Sequence, residues 1–145
     1  MKTFKTPMGS ILPLMDLKGK DYLQVQHRVV WFREENPTFS IETQMSEMRA
    51  EYVIFKARVL DANSKVMATA HKMAFTGSSK NPLEMAETGA IGRALALCGY
   101  GTAFCDDFEE EAEEPADAPL PARSSHNTTN PNITFHPGFG KGGSR

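Results

Sequence analysis

The chain has 145 residues, 16 Lys/Arg against 18 Asp/Glu, and 40% hydrophobic residues with no long uncharged apolar run. One modest soluble domain is the expectation, and it excludes a membrane-spanning protein and a multidomain enzyme. The small net charge hides a segregation: residues 1–105 carry 13 bases and 10 acids, residues 106–117 carry eight acids and no base, and residues 118–145 carry three bases.

Residues 1–17 are basic at Lys2 and Lys5 but broken by Pro7, Gly9 and Pro13, without an apolar region of secretory length. The chain therefore reads as unprocessed and cytoplasmic. Residues 21–35 place Tyr22, Val25, Val29 and Phe32 three and four apart before Asn36-Pro37, which predicts a short amphipathic helix. Residues 39–45 then alternate with period two, as a half-buried strand does. Two more strands follow over residues 51–60 and 65–75, joined by the turn residues Asp61, Ala62, Asn63 and Ser64. A second helix is marked by Asn81 as N-cap, Pro82 in the first position, Glu84 three residues after the cap and Gly99 as a stop.

The predicted fold class is α+β: a helix, an antiparallel three-stranded β-meander and a packed helix. From Asp106 onward the chain is acidic and rich in Pro, Gly, Ser and Asn, a composition that cannot bury enough surface to offset its ordering entropy. The expected division is a domain at 1–105, its folded part running from about residue 10, and a disordered acidic tail at 106–145. The acidic block is either a solubilising linker or an anionic competitor for a cationic groove. Ile133, Phe135 and Phe139 in the last stretch resemble a short docking motif.

Cys98 and Cys105 lie seven apart without a CxxC pair, and the chain has only four histidines, so neither a disulfide framework nor a zinc site is indicated. Both thiols are expected to be reduced, with Cys98 in the core. The ordered acids are scattered, and no glycine-rich phosphate loop precedes a lysine. No catalytic residue, metal or cofactor is expected, and ATP use is not.

The second helix is rich in small residues, although interior glycines such as Gly89 and Gly92 cost about 1 kcal/mol each against alanine. Something must approach its surface closely. Arg93 emerges one turn after Gly89, from a face with little beside it. That arrangement suits a phosphate contact, and it equally suits tight packing of the helix on the sheet with Arg93 in an ordinary ion pair. Lys56 and Arg58 share one face of the middle strand, and Lys72 joins them in a basic stripe if the register agrees. The plainer reading is the solvated side of amphipathic strands. Trp31 and Phe32 are assigned to the core; Tyr22 is left open between core and base stacking.

The run Asp21-Tyr22-Leu23 through His27-Arg28-Val29, the meander, and Glu87-Thr88-Gly89-Ala90-Ile91-Gly92-Arg93-Ala94-Leu95 with Gly99 together resemble the Rad-fifty-two family of single-strand annealing proteins, particularly short bacteriophage members. The resemblance covers residues 19–102. It implies a β-β-β-α core assembled into a homo-oligomeric ring that holds single-stranded DNA in a basic groove and pairs complementary strands without ATP during recombination and repair. Carried over by position, Arg93 falls on a groove-lining base and Tyr22 on an aromatic beside that groove. Gly92 and Glu84 stand where eukaryotic members carry bases. Lys20, Arg28, Lys56, Arg58 and Lys72 are then the further candidates for DNA contact. A host single-strand-binding protein is the expected partner of the tail, and a phage-encoded chain would act in the bacterial cytoplasm. The alternative is a ring-forming adaptor with little annealing activity.

Overall fold

The first 22 residues fold as two small antiparallel hairpins, in a computed structural model that describes residues 1–101. Strand β1 (Thr3–Lys5) pairs with β2 (Ile11–Pro13), and β3 (Met15–Leu17) pairs with β4 (Lys20–Tyr22). The first hairpin begins ahead of the expected folded part, and the second takes Tyr22 out of the expected helix. The cause is the turn between β3 and β4. Lys18 and Gly19 adopt φ of 52° and 83°, the left-handed pair that closes a two-residue hairpin, and the Asp16 carboxylate accepts the Gly19 amide at 3.0 Å.

Helix α1 therefore starts late and spans Val25–Glu35. It stops where expected: Pro37 forces Asn36 out of the helical region, and the Asn36 amide still reaches the Phe32 carbonyl at 2.9 Å. The three central strands follow as β5 (Ser40–Met48), β6 (Tyr52–Leu60) and β7 (Val66–Phe75), in the antiparallel order β5-β6-β7. The turn between β6 and β7 is held by the Asp61 carboxylate, which accepts the amides of Asn63 at 2.8 Å and Lys65 at 2.9 Å.

Helix α2 (Pro82–Leu97) has Pro82 in its first turn, as expected, but Asn81 makes no side-chain cap. Ser79 instead takes the Asn81 amide on its hydroxyl at 3.1 Å. At the other end Gly99 has φ +91°, its amide reaches the Ala96 carbonyl at 3.0 Å, and Tyr100 reaches back to Leu95 at 2.9 Å. This pair of bonds is a Schellman stop, which only glycine enters without strain.

Alternation sends Ala57 and Val59 of β6, with Ala68 and Ala70 of β7, to one face of the sheet, where Ala90, Ala94 and Leu95 of α2 and Phe32 of α1 meet them. Val53, Ala74 and Ala86 continue the contact toward the start of α2. The fold is the α+β arrangement expected, and among the described residues the sheet is covered on one face only. Trp31 is half-buried between Phe4 of β1 and Tyr100, at centroid distances of 4.8 and 4.9 Å. Cys98 is free and half-buried against the core, and that burial pushes its thiol pKa up. The acidic block, the docking motif and Cys105 lie outside the described residues.

Candidate nucleic-acid interface

Register decides which candidate cations share a surface. In the antiparallel ladder Arg58 lies between Glu42 and Thr69, and Lys56 lies between Gln44 and His71. Lys72 is paired with Phe55 instead, one residue out of step, so it stands on the opposite face, among the residues that meet α2. The expected stripe of Lys56, Arg58 and Lys72 is thus divided, and His71 takes the place given to Lys72.

The uncovered face carries a depression of about 380 Å³ lined by Glu42, Thr43, Gln44, Lys56 and Arg58. Arg58 is held by Glu42 at 2.6 Å, an exposed pair of the kind that exchanges readily for another anion. Toward the other end of this face the ladder rows become Ile54 with Met73 and Tyr52 with Phe75. Phe75 is 53% exposed. One flat surface therefore offers cations in two adjacent rows and an aromatic ring farther along. Those are the two elements that single strands use, charge for the backbone and a π-face for bases. His71, Tyr52 and Phe75 were not among the residues picked from sequence. The cue was present, because the alanines at 68, 70 and 74 mark one side of β7 and leave His71, Met73 and Phe75 on the other.

Two other candidates are interior. Arg28 is 2% exposed and Tyr22 5%. The Arg28 guanidinium donates to the Tyr22 hydroxyl at 3.0 Å and to the Gly92 carbonyl at 3.2 Å, and it lies over the Tyr22 ring at 5.6 Å. It ties β4 and both helices together, and neither residue presents its polar head to solvent in the single chain. In the single chain both DNA-contact candidates are therefore interior, and Tyr22, left open between core and base stacking, falls in the core. Lys20 is exposed on the β3–β4 hairpin.

Arg93 is half-buried on α2 and already engaged within the chain. The close approach that the glycines implied is internal to the protein. A Cβ on Gly89 would sit 2.7 Å from Cγ of Lys72, and one on Gly92 would sit 2.6 Å from Val25 Cγ2 and 3.1 Å from the Arg28 guanidinium. Of the two readings of the small-residue helix, tight packing accounts for both glycines. Gly89 also brings Lys72 against α2, on the helix side of β7. The first turn of α2 carries Glu84, which complements the helix dipole and opposes a phosphate docked end-on there.

The described residues include no group of three or more His, Cys, Asp or Glu side chains placed to hold a metal ion, and no helix long and apolar enough to cross a membrane. Residues 29–98 match the family model described as the Slr1353 N-terminal dsRNA-binding domain-like domain. The matched segment is just under half of the chain and takes in most of α1, the whole sheet and α2. It points to a nucleic-acid-binding-like domain. No curated protein and no solved structure matches the chain.

Proposed function

We propose that the protein binds single-stranded DNA and anneals complementary strands without ATP, acting as an oligomer in recombination. The observation that carries this reading is the uncovered sheet face, where Lys56 and Arg58 sit side by side with His71, and Phe75 stands exposed on the same surface. The match to a dsRNA-binding-like domain over the same strands supports contact with a nucleic acid of some kind. The annealing step rests on the resemblance carried by Glu87 through Leu95 with Gly99. In this reading the cations hold the phosphates, the bases remain turned outward for trial pairing, and no side chain acts as acid, base or nucleophile. Repetition in an oligomer turns a few weak contacts per chain into one extended site.

The test is annealing of complementary oligonucleotides, one carrying a fluorophore and the other a quencher, without ATP. The intact protein should accelerate pairing, and Lys56→Ala with Arg58→Ala should reduce that acceleration at least tenfold at matched assembly state. Loss of two phosphate contacts should also flatten the slope of log affinity against log salt by about 1.4. Should Arg93→Ala alone abolish annealing, the strand would contact α2 instead of the open face. An intact protein that does not accelerate pairing would leave the adaptor reading.

A further inference from the structure

Among the described residues the central sheet has two unpaired edges. Over five consecutive rows, from Ile41–Val59–Ala68 to Met45–Phe55–Lys72, all three strands keep one unbroken register. Bulges fall outside those rows, between Met45 and Glu47 on one side and between Val59 and Leu60 on the other. No proline interrupts β5 or β7. Edge strands this long and regular are templates for further pairing unless they are blunted, and along these rows the blunting charges are Glu42 on β5 and the inward-facing Lys72 on β7, with neither bulge nor proline.

The two edges also differ in charge. On the strands themselves β5 carries Glu42 and Glu47, paired within the chain to Arg58 at 2.6 Å and Arg49 at 2.8 Å, whereas β7 carries His71 and Lys72 and no acid. Exposed apolar side chains accompany both: Met45 and Met48 on β5, and Val66, Met67, Met73 and Phe75 on β7. Like edges would meet with like charge, and unlike edges would meet with opposite charge.

We infer that β7 of one copy pairs with β5 of a second copy, head to tail, so that the three-stranded sheets continue from chain to chain. Because β5 and β7 are each antiparallel to β6, they run in the same direction, and a rotation about an axis along the strands brings them together as a parallel pair. Every α2 then lies on one side of the joined sheet and every Lys56–Arg58 face on the other. In level continuation, Thr69 of one copy stands beside Glu42 of the next, and His71 lies close to the next chain's acids. This inference rests on the reading of the protein as an oligomer and is independent of what it binds.

The test uses the full chain with Cys98→Ser and Cys105→Ser, into which Glu42→Cys and Thr69→Cys are introduced together. Within one chain these positions flank Arg58 from either side, two strand spacings or about 9.6 Å apart, beyond the reach of a disulfide. Mild oxidation should give a ladder of covalent multimers on a non-reducing gel, and either cysteine alone should give none. Dimers from Thr69→Cys alone would mean a two-fold β7–β7 contact and would overturn the inference. Light scattering on the unmodified protein separates the remaining outcomes: multimers without a ladder would overturn this interface and keep the oligomer, whereas a monomer at every concentration would remove both.

Discussion

Arg28→Ala is expected to lower the free energy of unfolding by about 3–5 kcal/mol, because it opens a cavity beneath α2 and strips the buried Tyr22 hydroxyl of a charged donor. In urea the midpoint should fall by more than about 1 M with little change in slope. Tyr22→Phe removes only one end of the contact and should cost about 1–2 kcal/mol. The pair of measurements separates an architectural arginine from a DNA-contacting one. A variant at Arg28 that keeps the native midpoint yet loses DNA affinity would restore the role that the sequence resemblance implies.

The second large effect is a contrast between two glycines three residues apart on the same helix. Either change to alanine relieves about 1 kcal/mol of backbone entropy cost. At Gly92 the new methyl would press on Val25 and the fixed Arg28 guanidinium, and overpacking of about 1–3 kcal/mol outweighs the gain. At Gly89 it would press on the base of Lys72, 2.7 Å from Cγ and 3.4 Å from Cβ, so the half-buried lysine has to change its χ1 to make room. Gly92→Ala should therefore destabilise, while at Gly89→Ala the rotamer cost of Lys72 and the entropy gain offset each other to within about 0.5 kcal/mol. Equal unfolding midpoints for the two variants would show that the contacts at Gly92 relax as easily as those at Gly89.

The central elements were legible because each is punctuated by residues with few options: Pro37 after the first helix, Asp61 in the β6–β7 turn, Pro82 and Gly99 at the ends of α2. The N-terminal hairpins were not. Their strands are three residues long, too short for any period to register, and the turn that fixes β4 depends on a left-handed Lys18, a conformation lysine does not advertise. The same turn put Tyr22 on a strand.

Among the candidate cations, Lys56 and Arg58 could be grouped because they belong to one strand and obey its parity. Lys72 could not be placed, since its face depends on pairing with a second strand, and a shift of one residue reverses the answer. Arg28 was misplaced for another reason. Arginine is seldom fully buried, and nothing local in the sequence shows that a tyrosine six residues earlier and a carbonyl on a distant helix receive it. The fold was thus read from local chemistry, whereas the interface depends on contacts between elements.

The alanine-lined contact between α2 and the sheet has a thermodynamic consequence. Ala57, Ala68, Ala70, Ala74, Ala86, Ala90 and Ala94 bring helix and sheet close together, but each removes only a small apolar area from water. The interior is close-fitting and still supplies little transfer free energy per residue, so the isolated chain should sit near the low end of domain stability. Any species that engages only the folded form then shifts the balance by mass action, adding about 2.7 kcal/mol at a hundredfold excess over its dissociation constant. The melting temperature should accordingly climb with protein concentration and with added oligonucleotide, making thermal denaturation a binding isotherm for this protein.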